Sequence, residues 1–441
     1  MTRSHLLGAA SAAALAMFSA AAFAAKPPIT GGGATADQLD YEDEFGLFNG
    51  SSKATFSTFW ATTSGVGQKA FITDDLTCDI NAVTGGNGGQ CSGPAGASGN
   101  TVSYAGSEAT LSSTQISSWA TSSFGQIAAG DLIQLPSMGT ATALPVVNSG
   151  VTTNGGLKLT DNDLCGIFSG LITNFSQITD TGASLQGAMT VAYRADPAGT
   201  TFLLTQHLTA VCTSGNTAPG VTFTATTNFA ALFPGGFPSN FVGETKINGM
   251  ASYLAGCSSA GQVANVIGYL SPDLTTVDAD SDATIACADG TTEKSPLLVP
   301  GVIVGTKSYL PSVDDIKLAL LHISQGSNTT PPSGANETNP ALWVPAVQKV
   351  SEGYSIVGYA SFEFAQCYAN SKISSSIIKY LKDHYGNTSY EAIINKNGFV
   401  SLRDTKASTF ITAIKNDILS NKGGENANIG NPTVCRGLPG R

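Results

Sequence analysis

Apolar positions along the chain recur with two periods. Ile373, Ile377, Leu381 and Tyr385 stand four apart, which predicts a helix that stops at Gly386. Phe410, Ile411, Ile414 and Ile418 form a second helical stripe, ended near Gly423. Short β-branched runs such as MTVAYRA (189–195) and PGVIVGT (300–306) predict strands. Gly- and Ser-rich stretches, TGGNGGQCSGPAGASGN (84–100) among them, separate the elements, and SGANETNP (333–340) reads as a polar surface loop. Strands alternating with helices predict an α/β architecture with mainly parallel pairing.

The N-terminus breaks this pattern. Arg3 and His5 precede the apolar run LLGAASAAALAMFSAAAFA, which ends in small residues at Ala22-Phe23-Ala24. This is the layout of a signal peptide, residues 1–24, with cleavage near Ala24. No later stretch is long and apolar enough to span a bilayer. The expected mature protein is soluble and exported, periplasmic or secreted. Charged residues make up 12% of the chain and the net charge is −10. Nucleic acid and anionic membranes need a basic footprint, so both are excluded as partners.

Export alters how the eight cysteines read. An oxidising compartment favours disulfides, and eight cysteines allow 105 connectivities. The expectation is neighbours in order: Cys78–Cys91, Cys165–Cys212, Cys257–Cys287 and Cys367–Cys435.

One stretch carries candidate chemistry, VAYRADPAGTT (191–201). Arg194 is the only arginine between Arg3 and Arg403. TVAY predicts a buried strand and TTFLLTQHLTAV a helix with Leu203, Leu204, Leu208 and Val211 inward. Between them, the free N–H groups of Gly199, Thr200 and Thr201 would face an anion at the helix start. The Thr200 hydroxyl adds a donor, Arg194 a bidentate fork, and Asp196 is placed to hold the guanidinium. A capped helix with a structural Arg–Asp pair would use the same residues.

Other chemistry is sparse. His207, His322 and His384 stand alone in the sequence. Asp278, Asp280 and Asp282 imitate the start of a calcium loop, but Ala283 replaces its glycine and Asp289 its bidentate glutamate. A solvated acidic loop is the better reading. No metal, cofactor or catalytic residue is expected.

VAYRADPAGTT and the preceding KLTDNDLCGIFSGLITNFSQI (158–178) resemble the phosphate-binding proteins of bacterial phosphate ABC transporters, and more closely their secreted relatives, the DING proteins. GGGATA (31–36), SGVGQKAF (64–71), YAGSEATLS (104–112), GYLSPD (268–273), WVPAV (343–347), FEFAQCYANS (362–371) and NPTVCRG (431–437) match in family order. The resemblance implies a two-lobed type II periplasmic-binding-protein fold that closes over one dehydrated phosphate. Two crossovers, near 133–145 and 353–362, would join a lobe of residues 25–138 and 358–441 to one of residues 139–357. Carried over by motif, Thr35, the Ala36 N–H, Ser64 and Glu108 bind from the first lobe. Arg194, Ala198, Gly199 and Thr200 bind from the second, with Asp196 orienting the arginine. Cys165–Cys212 and Cys367–Cys435 match family cysteines, which leaves the other two pairs as staples on inserted loops.

Three departures stand out. The name-giving start reads Pro28-Ile29-Thr30-Gly31, Ala198 replaces a serine, and Glu108 replaces an aspartate. The ligand implied is inorganic phosphate, with arsenate as its analogue. An ABC permease is the implied partner, and a monomer the expected state. Two alternatives stay open: a secreted DING-type protein with alkaline phosphatase activity, and an extracellular adhesin or matrix protein with a degenerate site.

Overall fold

A computed structural model describes residues 25–84, 91–93, 101–179, 185–258, 263–277, 284–287 and 289–441. The signal-peptide assignment and the Asp278–Asp282 loop lie outside those residues, as does most of 84–100. Ten strands build the two sheets that position the site. β1 (Gly31–Gly33), β2 (Trp60–Ala61), β3 (Tyr104–Ser107) and β4 (Leu132–Ala141) come first. β5 (Val146–Val147), β6 (Thr190–Arg194), β7 (Phe241–Glu244) and β8 (Val266–Ile267) follow, and β9 (Val357–Ala365) and β10 (Val400–Ser401) close the series. One sheet has the order β10-β4-β9-β3-β1-β2 and the other β7-β6-β8-β5. Each sheet is the floor of one α/β lobe.

β4 and β9 are the long strands, buried along their whole length. They pair antiparallel from Val357 opposite Ala141 to Ala365 opposite Leu132, with a bulge at Ala360/Ser361. The chain leaves the first sheet along β4 for β5 and returns along β9, so these strands are the two crossovers. Expected parallel pairing holds for β1–β2, β1–β3, β6–β7 and β6–β8. It fails for β3–β9, β4–β9, β4–β10 and β5–β8, which are antiparallel. An outgoing and a returning crossover run in opposite directions when they lie side by side, so their ladder cannot be parallel.

Five helices matter here: α1 (Gln38–Asn49), α2 (Ser64–Thr73), α3 (Gly199–Val211), α4 (Lys246–Ala255) and α5 (Ser371–Gly386). In α5, Ile377, Leu381 and Tyr385 are buried as the stripe requires. Its cap is Asn387 rather than Gly386, because the Asn387 side chain also starts the next helix by accepting from Ser389. The second stripe begins as an α-helix over Ser408–Ala413 and widens to a π-turn over Ile414–Ile418. The loop expected over 333–340 instead winds as a 3-10 turn, Gly334–Thr338, which buries Glu337. The four disulfides pair neighbours in order: Cys78–Cys91, Cys165–Cys212, Cys257–Cys287 and Cys367–Cys435.

α5 also clamps the first crossover. His384 is fully buried, with Nδ1 2.9 Å from both Glu44 carboxylate oxygens and Nε2 3.0 Å from the Ser137 carbonyl. A carboxylate and a carbonyl both accept, so both ring nitrogens donate and the imidazole is cationic. Burial alone would lower its pKa. The Glu44 charge, its hydrogen bond and the Ser137 carbonyl together outweigh burial and hold the pKa above the ordinary 6.5. A raised histidine pKa stabilises fully below the unfolded value, and that stability is lost as pH rises through the folded value. Glu44→Gln is therefore expected to cost about 3–5 kcal/mol at neutral pH. It should also remove the alkaline loss of stability expected of the parent. Urea midpoints of the two proteins from pH 6 to 9 check both; parallel curves would show that His384 is neutral.

Candidate anion-binding site

The stretch RADPAGT folds as a strand end, a turn and a helix start. β6 ends at Arg194 and α3 begins at Gly199, with Ala198 in extended backbone as its cap residue. Ala198 has no side-chain acceptor, so the first turn of α3 has no side-chain cap. Its N–H groups and the positive end of its dipole are left for a ligand.

Arg194 and Asp196 form a fork-to-fork pair. Nε donates to Oδ1 at 2.7 Å and Nη2 to Oδ2 at 2.8 Å. The Lys246 N–H, at the start of α4, also donates to Asp196 Oδ2 at 3.0 Å. Arg194 is 4% exposed, and its Nη1 takes no part in the pair. The guanidinium is thus fixed in direction, with donors to spare.

Across the interlobe cleft, β1 leads through the 3-10 turn Thr35–Asp37 into α1, and β2 leads through the Thr63 cap into α2. Thr63 accepts from the Val66 N–H, and Ser64 is the first residue of α2. The Ser64 oxygen accepts from the Glu108 N–H at 3.2 Å, which leaves its own proton free to donate. The Thr35 hydroxyl, by contrast, donates to the Thr62 carbonyl at 2.6 Å. A tight cavity of about 10 Å³ is lined by Thr35, Ala36, Ser64, Glu108, Arg194, Ala198, Gly199 and Thr200, all named from the sequence. Asp196 stands behind it, on Arg194. Ala34, Thr62, Thr63 and Ile247 also line it. Thr63 had a local signal, a threonine just before a helical run; Ile247 had none.

The lobes meet closely here. A Cβ on Gly199 would lie 2.5 Å from the Glu108 Cβ and from the Ser64 hydroxyl oxygen, so only glycine lets this helix start approach. Thr200 Oγ1 is buried and has no hydrogen-bond partner among the described residues. An unmade bond of this kind is costly and points to a missing acceptor.

Behind the cavity lies a set of buried acids. Glu108 is 3% exposed and accepts from the Thr140 hydroxyl at 3.0 Å. Burial first, then the Asp273 charge, push its carboxyl up to about 7, against the pull of Thr140 and Arg194. Asp37 is fully buried, with neither oxygen partnered among the described residues. Burial and the charges of Glu108, Asp40, Glu363 and Asp273 raise its pKa well above the usual range. Asp273, pushed up to about 6, and Glu363 are raised chiefly by burial. None of Asp37, Asp273 and Glu363 was singled out from the sequence.

A cavity of hydroxyls, helix-start amides and one guanidinium, closed between two α/β lobes, defines a binding protein for a small oxyanion. A family model described as a PBP superfamily domain matches residues 25–321. The chain is 32% identical over 428 residues to Alkaline phosphatase L of Pseudomonas aeruginosa, spanning 97% of this chain and 96% of that one. It is 31% identical over 421 residues to a phosphate-binding protein of an unknown prokaryotic organism, covering 93% and 98% of the two chains. Among solved structures, it resembles a high-affinity periplasmic phosphate-binding protein, PfluDING, bound with phosphate. That likeness has a TM-score of 0.72 and 29% identity, over 94% of this chain and 99% of the other. A DING protein matches with the same TM-score, 0.72, at 27% identity and the same coverage of 94% and 99%. The chain belongs to the PBP superfamily, in the family of DING and phosphate-binding proteins.

The orphan hydroxyl makes a prediction about the protein without ligand. Thr200→Val removes a buried unsatisfied group at constant shape. It is expected to stabilise the anion-free protein by about 1 kcal/mol. Calorimetric melting in anion-free buffer checks this, and a lower midpoint would mean that the hydroxyl has a partner after all.

Proposed function

We propose that the chain is an exported, soluble phosphate-binding protein that holds one phosphate between its lobes without altering it. The lobes are residues 25–138 with 358–441, and residues 139–357. The buried Thr200 hydroxyl beside Arg194, unpartnered among the described residues, carries the reading, because a tetrahedral oxyanion supplies the acceptor it lacks. Donors come from Ser64, Thr200, Arg194 and the starts of α2 and α3. The phosphate-bound relative supports the choice of anion. The protein acts as a monomer in the periplasm or outside the cell after cleavage near Ala24. It hands phosphate to an ABC permease, and arsenate, of the same shape and protonation, competes for the site.

Glu108 sets the selectivity. Hydrogen phosphate carries a proton that an ionised Glu108 can accept, whereas sulfate is all acceptor and needs Glu108 protonated. Two outcomes follow for titration calorimetry. Arg194→Ala should weaken phosphate by at least about a hundredfold, since two charge-assisted hydrogen bonds are lost. Unchanged affinity would make the Arg194–Asp196 pair purely structural.

The second outcome concerns pH. Glu108 ionises near 7, so above that value sulfate binding must take up a proton, and binding of hydrogen phosphate need not. Sulfate affinity should fall about tenfold per pH unit between pH 7 and 9, while phosphate holds steady. Glu108→Gln should flatten the sulfate profile and bring the two anions within about tenfold, because an amide donates as well as accepts. A sulfate affinity that does not change with pH in the parent would remove Glu108 from the site.

A further inference from the structure

Every residue lining the anion cavity is buried except Thr35, which is half-exposed. An anion leaves such a site only when the lobes part, so whatever holds them together governs its release. Two close approaches across the cleft are steric. Gly199 lies against Glu108 and Ser64, and a Cβ on Gly65 would lie 2.7 Å from the Pro197 Cβ. A third contact is a hydrogen bond, and it is made by Lys246.

Lys246 is the first residue of α4 and holds a left-handed backbone, φ 59°, that a residue with a side chain seldom adopts. Strain of this kind persists only where the surroundings fix it. Two contacts do so here. The Lys246 N–H donates to Asp196 Oδ2 at 3.0 Å, and the ammonium donates across the cleft to the Ala82 carbonyl at 2.7 Å. Thr245 gives α4 no side-chain cap, and Asp196 takes that place.

Ala82 lies in the last turn of the first-lobe helix Thr77–Thr84. The last four carbonyls of a helix have no partner within it and form the negative end of its dipole, so an ammonium is favoured there. The buried face of the same helix carries Asp79, which accepts from the Thr62 hydroxyl at 3.3 Å, and Cys78, bonded to Cys91. Thr62 lines the anion cavity, and so does Ile247, the residue after Lys246. Each end of the bridge is therefore anchored beside the cavity wall.

We propose that Lys246 is a positioning residue that latches the site. Asp196, while it holds Arg194 for the anion, also fixes the start of α4, and that aims the ammonium at the first lobe. This rests on the phosphate reading above and adds to it the residue that governs how long the anion stays. Lys246 does not line the anion cavity, so its side chain acts on closure and not on the ligand. The bond forms only after the lobes meet, and it therefore slows release without hastening capture. Lys246 is exposed, and a hydrogen bond of this kind in water is worth about fivefold.

Lys246→Met keeps the N–H that Asp196 needs and the length of the side chain, and removes only the charge and the donor. Radiolabelled inorganic phosphate bound to the full mature chain, chased with unlabelled phosphate, gives the dissociation rate. Calorimetry gives Kd, and the two together give the association rate. The expected result is release about fivefold faster, with association within about twofold of the parent. Lys246→Arg, which keeps a long cationic donor, should hold release within about twofold of the parent. Release from Lys246→Met at the parent's rate overturns the latch. Slower association in its place also overturns it, since the ammonium would then be a steering charge. Absence of phosphate binding by the parent would instead overturn the phosphate reading, and the latch with it.

Discussion

Arg194 is a cation buried to 4% exposure in a chain of net charge −10, and the site is organised by what it takes to keep that charge out of water. Burying an ion is costly unless its hydrogen bonds are made. Asp196 satisfies one edge of the guanidinium in a two-point pair, and the Lys246 N–H in turn holds Asp196. An anion in the cavity meets the remaining donors. The need for a partner, rather than any long-range field, is what draws phosphate into a protein whose overall charge repels it.

The acids behind the cavity work in the opposite sense. Asp37, Glu108, Asp273 and Glu363 share one low-dielectric region with Arg194 the nearby cation, and burial raises all four toward the neutral form. Asp37 and Glu363, held well above the usual carboxylate range, oppose an incoming dianion less than ordinary carboxylates would, whereas Asp273, at about 6, is mostly ionised at neutral pH. Glu108 is the member that touches the cavity, and its pKa near 7 lets it serve as donor or acceptor according to the anion. Its extra methylene relative to the family's aspartate brings the carboxyl close to Gly199, where no side chain could be accommodated.

Much of this geometry is made by the crossovers. β4 and β9 lie side by side through the core; β3, beside β9, leads to Glu108, and β1 and β2 beyond it lead to Thr35 and Ser64. Thr140, on β4, holds Glu108, while Thr142, just beyond it, donates to the Thr200 carbonyl at the start of α3. The strands that join the lobes therefore also touch both halves of the site.

The sequence by itself determined whatever is local. Strand, turn and helix start in RADPAGT lie within one short segment, so Arg194, Asp196, Gly199 and Thr200 were legible together. Amphipathic spacing gave the helices, and cysteine order matched the disulfides because each pair closes a loop within one lobe. Motif resemblance added Thr35, Ser64 and Glu108. Only the tertiary structure decided the rest. Ile247 and Thr62 reach the cavity through sheet order and lobe closure, which no periodicity records. Antiparallel pairing of the crossovers follows from the path of the chain between lobes, and not from the β-propensity of its strands. The pKa of Asp273 is raised by burial, and those of Asp37 and Glu108 by burial and by the charges of acids far apart in the chain, which become neighbours only once it has folded.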